Sequence, residues 1–289
     1  TALLWLLQTT RSRAEYSYTM RAALLPTPGD PFLVRHWLVN CERVWRDEVD
    51  ELRVQVNRQP DQEARDYIHE HVGRVGGIYT ETGAHGSHGT ALDVMVRETV
   101  ADVVVLMEDD VRVRHPGAIH THIQEIEDGV YDIESSPRGS MSPCLDEASQ
   151  RRWPNQQILM DLCWRQGMWP AFVFARRECL LATEGTFGVR GWKRGESVPG
   201  LDYVVNEDEA AADTFGATAF QLRDMFRVRD IPQWKGPHLW DWYLRVLDPH
   251  MHWFHIGSLS SVNLRDYVDY TYTPPPCWEE ELEWAHRLY

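Results

Sequence analysis

Val103-Val104-Val105-Leu106-Met107, followed at once by Glu108-Asp109-Asp110, is the stretch on which the reading of this chain turns. An apolar run this rich in valine predicts a strand buried on both faces, as found inside a parallel sheet. Carboxylates at the end of such a strand fall where an open α/β sheet places its ligands, outside the carboxyl edge. Like charges so close repel unless a cation lies among them. The triplet therefore predicts a divalent-metal site facing a phosphorylated ligand. The alternative is an acidic turn that only ends the strand, because Asp favours turns for its own backbone-bonding reasons.

Strand and helix signals alternate on the N-terminal side of this run. Tyr18 to Leu25 predicts a strand that stops at Pro26-Thr27-Pro28-Gly29-Asp30. Phe32 to Trp45 repeats apolar residues at helical spacing, and Leu52 to Val56 alternates as a second strand. Asp61 is placed to cap a helix running to about His71. Ile78-Tyr79 predicts a short third strand, and Gly86-Ser87-His88-Gly89 opens a helix from Thr90 to about Thr99. Regular alternation of this kind is the signature of a parallel α/β sheet. Beyond Pro116 the pattern loosens. Ala118 to Glu127 predicts a helix and Tyr131-Asp132-Ile133 an edge strand. Residues 134–152 read as a long loop, 155–166 as a helix, Ala171 to Phe174 as a buried strand, 185–200 as a basic glycine-rich loop, and Glu207 to Phe226 as a helix.

The chain has 289 residues and a net charge of -15, from 29 Lys+Arg against 44 Asp+Glu. That balance disfavours a broad nucleic-acid interface, which needs a basic face. Five cysteines without Cys-x-x-Cys spacing fit reduced thiols and a cytoplasmic location rather than a disulfide framework. No segment approaches the length of a membrane span. His250, His252 and His255 lack the spacing of a zinc site.

With these residues in view, the chain resembles a GT-A-fold glycosyltransferase related to glycosyltransferase family 2, over roughly residues 18 to 260. Leu24-Leu25-Pro26-Thr27 matches the family's first strand and its Pro-Thr pair. His85 to Gly89 with Ala91-Leu92-Asp93 stands where the family opens the helix leading to its metal strand, although Leu92 and Asp93 replace its usual Arg-Asn. Glu108-Asp109-Asp110 resembles the Asp-x-Asp element, Asn206-Glu207-Asp208 the Glu-Asp pair whose carboxylate deprotonates the acceptor hydroxyl, and His255-Ile256-Gly257-Ser258 the late metal-ligating histidine. The family's Gln-x-x-Arg-Trp element is missing, which argues against a processive polysaccharide synthase.

The resemblance implies a Rossmann-like, mostly parallel sheet flanked by helices. Residues 1–133 form the nucleotide-sugar-binding half, 134–260 the acceptor-binding and catalytic half, and 261–289 a C-terminal extension. It implies a nucleotide-diphosphate sugar as donor and Mn²⁺ or Mg²⁺ held by Glu108, Asp110 and His255. An imidazole ligand shifts the expectation toward Mn²⁺. Pro26, Thr27, Asn57, His88, Asp93 and Asp109 would line the nucleotide. Asp208, with Glu207 next to it, would deprotonate the acceptor hydroxyl in an inverting transfer. Some of these residues also admit plainer roles. His255 reads equally as a core histidine next to Trp253 and Phe254, and Glu207 and Asp208 as the acidic first turn of a helix, favoured by its dipole. The basic stretch Arg190 to Arg194 reads either as a lid over the diphosphate or as a solvated loop. A carbohydrate-binding or structural protein of altered chemistry, and less readily a nucleotidyltransferase, are the competing functions. The acceptor is open: glycan, protein, lipid head group or modified nucleic-acid base.

Overall fold

The computed structural model describes residues 18–57, 60–83, 86–109, 111–113, 115–137, 168–183, 187–188, 190–205, 209–212, 214–231 and 253–255. Among these, the first crossovers repeat strand, helix, strand. Strand β1 (Arg21–Thr27) leads to helix α1 (Pro31–Asn40), which continues through a π turn at Cys41–Trp45 before β2 (Glu51–Val56). Helix α2 (Gln62–Arg74) leads to β3 (Ile78–Glu81), and α3 (His88–Glu98) to β4 (Val103–Met107). β4 pairs with β1, β1 with β2 and β2 with β3, all parallel. The predicted run at 103–107 is buried along its whole length. Asp61 caps α2 as predicted, its Oδ1 accepting the Ala64 N–H at 2.8 Å.

The sheet continues on the other side of β4. After β5 (Val111–Val113) and α4 (Ala118–Glu127), β6 (Ile133–Pro137) lies beyond β7 (Met168–Arg176), and β7 runs antiparallel to both β4 and β6. Helix α5 (Arg177–Leu181), the strands β8 (Arg190–Lys193) and β9 (Glu209–Ala212) and helix α6 (Gly216–Met225) follow, and β10 (Val228–Asp230) closes the sheet. The order is β10-β6-β7-β4-β1-β2-β3. Strands from before and after residue 133 thus share one sheet, and the boundary between 133 and 134 falls inside β6.

Alternation along the strands feeds two cores. Ala23, Leu25, Val54, Val105, Met107 and Phe174 pack with α1, α2 and α4 on one face. Ala22, Leu24, Val104, Leu106 and Val173 pack with α3, α5 and α6 on the other. Fully burying each such aliphatic side chain contributes about 1.5–3 kcal/mol, which is why β4 reads as an unbroken apolar run.

Several expectations need correction. Tyr131 and Asp132 precede the strand, which begins at Ile133, and it is not an edge strand because β10 flanks it. The first four residues of the expected long loop, 134–137, belong to β6. Residues 190–193 are not loop but β8, paired antiparallel with β9. The helix expected from Glu207 starts only at Gly216. An alanine-rich stretch with good helix propensity, 209–212, is held extended by this pairing, so tertiary contact overrides propensity. Phe215, at φ 66, adopts a left-handed backbone that ends any helix running in from its N-terminal side. β8 and the segment that follows it form a small core of their own, in which Trp192, Val198 and Val205 pack on Ala217 and Phe220 of α6. The expected helix at 155–166 lies outside the described residues.

Candidate metal and nucleotide site

The parallel strands β1, β2 and β4 end together, and their C-terminal edge gathers Thr27, Asn57 and Glu108. The Thr27 hydroxyl donates to Asp109 Oδ2 at 2.5 Å and accepts the Gly29 N–H at 3.0 Å. Asn57 donates its backbone N–H to the Thr27 carbonyl at 2.9 Å. Gly29 turns the chain away at φ +87, with the position of an added Cβ 2.8 Å from Val56 Cγ1. A side chain there would be strained in its backbone and crowded at once. Pro26 is buried one residue inside this edge. Asp109 is wholly buried and Asn57 nearly so, whereas Glu108 is 9% exposed. Asp109 fastens β4 to β1 through Thr27.

Two further elements frame Glu108. Its backbone N–H donates to the Ala171 carbonyl of β7 at 3.0 Å. Downstream, β5 pairs antiparallel with β11 (Trp253–His255), with His255 opposite Val111. A residue more than a hundred positions later is thereby carried, by backbone pairing alone, opposite Val111. Residues 110, 207 and 208, and the side chain of His255, lie outside the described residues. Among the described residues, the pairing sets the backbone of His255 opposite Val111, three positions beyond Glu108. The positioning of β5 rests on a residue that sequence reasoning missed. Asn40, at the end of α1, accepts the Val113 N–H at 2.9 Å and donates to the Val113 carbonyl at 2.8 Å, acting as a strand partner. Trp45 Nε1 also donates to Asn40, at 3.2 Å. The available signal was a buried polar residue in an apolar helix, and such a residue needs a partner.

The third wall is the start of α3. Ser87 caps the helix, its Oγ accepting the Thr90 N–H at 3.1 Å. His88 follows, its Nε2 lying 3.9 Å from Glu108 Oε1. Gly89 touches the backbone of Gly188, and a Cβ there would overlap it. Asp93 accepts the Phe187 N–H at 3.1 Å and faces Arg97 at 3.8 Å. Burial raises the Asp93 carboxyl above its usual range, and the Phe187 N–H pulls the other way. Asp93 thus ties α3 to the 187–188 segment. Phe187 in turn stacks on Phe215 at the head of α6, with ring centroids 5.5 Å apart.

A helix-turn role for Glu207 and Asp208 does not fit the fold. The described helix begins at Gly216, with Phe215 as its N-cap, and β9 lies between. Carboxylates so far from the helix start gain nothing from its dipole, which acts within the first turn.

A second cluster of ligand-type side chains lies between α4 and β6. His122, Glu125 and Glu134 offer atoms within 4.8 Å of one another. His122 Nδ1 is 2.5 Å from Glu134 Oε2. Arg229 of β10 pairs with Glu125 and lies 3.4 Å from Glu134, so a guanidinium already supplies the positive charge that a metal would bring. Burial pushes Glu134 up to about 8 and His122 down to about 4, with Arg229 adding to the depression of His122. Linkage then fixes the pH dependence. The Glu134 contribution is complete below the carboxyl's unfolded value of 4.5 and lost as pH rises through 8. The His122 contribution is complete above 6.5 and lost as pH falls through 4. Between about pH 4.5 and 6.5 the folded and unfolded pairs bind equal numbers of protons, and stability is level. Between 6.5 and 8 only the folded state keeps its proton, so stability falls by about 2 kcal/mol. Urea unfolding at pH 6.0 and 8.5 is expected to show this loss, and Glu134→Gln to remove it. Equal slopes in both proteins would place the titration elsewhere.

No helix among the described residues is long and apolar enough to cross a membrane. No family model and no curated protein sequence matches the chain. Solved structures do. A Pyrobaculum calidifontis mannosyltransferase in complex with GDP-Man and Mn²⁺ matches at 15% identity and TM-score 0.48, over 75% of this chain and 56% of that one. A Mycobacterium tuberculosis glucosyl-3-phosphoglycerate synthase in complex with Mn²⁺ and UDP-glucose matches at 16% identity and TM-score 0.41, over 57% of this chain and 59% of the other. The chain spans little more than half the length of these structures.

Proposed function

We propose that this chain is a metal-dependent glycosyltransferase that moves a sugar from a nucleotide-diphosphate sugar to a hydroxyl acceptor. The observation that carries the reading is the pairing of β5 with β11. It sets the backbone of His255 opposite Val111, a short step past the Glu108-Asp109 end of β4, at the carboxyl edge of a parallel sheet. Oxygen from Glu108 and Asp110 with nitrogen from an imidazole is a donor set that fits Mn²⁺ and tolerates Mg²⁺ less well. When bound, the cation would neutralise charge growing on the leaving diphosphate.

The chain's own residues would do the rest. Thr27 and Asp109, locked together, fix the edge against which the nucleoside rests. Asn57 and Pro26 close its sides at the ends of β2 and β1. His88 and Asp93 face it from α3, whose first turn is clamped at Gly89. Asp208, or Glu207, takes the proton from the attacking hydroxyl, giving inversion at the sugar carbon. The transition state is oxocarbenium-like, as in glycoside hydrolysis, and inversion needs the attacking hydroxyl and its base on the face opposite the leaving diphosphate.

The test uses the full chain with UDP-, GDP- and dTDP-sugars, with and without Mn²⁺. Slow release of nucleotide to water is expected with one donor class, and chelation should stop it. No release and no thermal shift with any donor would leave a binding or structural role instead.

A further inference from the structure

We propose that His88 is a direct ligand of the divalent cation, so that the ion takes nitrogen from the start of α3 as well as oxygen from the end of β4. This rests on the metal reading above and deepens it, since no ligand was assigned to α3. His88 Nε2 is shielded from solvent and has no hydrogen-bond partner among the described residues. Its separation from Glu108 Oε1, 3.9 Å, is too long for a hydrogen bond. It suits two ligands of one ion: at metal–ligand distances of about 2.1 Å, adjacent donors lie about 3 Å apart and opposite ones about 4.2 Å. A buried imidazole nitrogen without a partner costs stability, and a metal–nitrogen bond would recover it.

Rigidity supports the assignment. A ligand held before the metal arrives loses little entropy on binding. Ser87 caps the Thr90 N–H, Gly89 abuts the Gly188 backbone, and Asp93 holds the Phe187 N–H, so the turn that carries His88 is fixed on three sides. Glu108 is fixed from the other direction through Ala171. Gly86 lies close to Thr82 and to the residue that follows β2, an added Cβ there falling 3.0 Å from the Asn57 carbonyl oxygen. Ring and carboxylate therefore face each other across a gap whose two walls are both anchored to the sheet.

Mn²⁺ alone is the probe, and electron paramagnetic resonance is the readout, so activity is not needed. Wild-type protein, His88→Gln, His255→Gln and the double variant are titrated without donor. Wild type is expected to bind Mn²⁺, and His88→Gln to weaken it by about 10-fold or more. Pulsed spectra of His255→Gln should keep the nitrogen coupling of an imidazole, and the double variant should lose it. ¹⁵N-histidine labelling of the unaltered chain must change that coupling, which identifies it without any substitution. Loss of the coupling in His255→Gln alone, or its survival in the double variant, overturns the assignment while leaving the metal site standing. A wild-type protein that binds no Mn²⁺ removes the metal reading and this inference together.

Discussion

Asp110→Ala is expected to abolish Mn²⁺-dependent nucleotide binding and to leave the fold intact. Removing a neighbour that merely orients a metal ligand typically costs 10–100-fold in affinity, so deleting a ligand should cost about 100-fold or more. The fold should survive because the strand is held by its apolar residues, which are buried from Val103 to Met107, and because it is Asp109 that makes the bond to Thr27. Without metal, one carboxylate fewer at this edge also relieves repulsion. Isothermal titration of UDP with Mn²⁺, alongside urea unfolding, checks both halves. Unchanged UDP affinity would move the metal away from this triplet. A large loss of stability would assign Asp110 a structural role instead.

Residues 103–110 were legible because one physical constraint dominates them. A strand covered on both faces must be apolar throughout, and its charged successor must lie at the sheet's edge. The crossovers from β1 to β4 followed for the same reason, with Asp61 marking the start of α2 by the chemistry of its cap. Legibility ended where contacts distant in sequence override local preference. Nothing local in Glu209–Ala212 announces a strand. It becomes one by pairing with Arg190–Lys193, and that pairing turns four residues of the basic loop the glycines had suggested into strand. The left-handed Phe215 is likewise invisible in sequence, because a bulky residue is the poorest choice for that conformation. The candidate site divides along the same line. Residue types at the end of β4 could be read directly. That His88 faces Glu108, that Asp93 reaches Phe187, and that Asn40 holds β5 are facts of assembly. His122 and Glu134 show the limit most clearly. His122 is buried at 4% exposure against a carboxyl on a neighbouring strand, a contact that no local pattern announces.

Asp208→Asn is expected to keep donor affinity and to lower turnover by about 10²–10⁴-fold, the usual contribution of a positioned general base. Asparagine keeps the size and the hydrogen-bonding carbonyl of the side chain but cannot accept the acceptor's proton. The change therefore removes an interaction used in the transition state and leaves binding alone. The competing role for the Glu207-Asp208 pair, an acidic first turn, has lost its helix, since α6 begins at Gly216 and β9 intervenes. The proton-transfer role of the pair is the proposal that the variants test. The two acids separate experimentally. If Asp208 is the base, Glu207→Gln should alter acceptor KM or nothing, and Asp208→Asn should depress kcat at every pH. Donor hydrolysis and transfer, measured side by side with saturating Mn²⁺, provide the readout. Full transfer by Asp208→Asn would exclude this residue as the base. It would then favour either Glu207, if Glu207→Gln is inactive, or a retaining route, if both variants transfer normally.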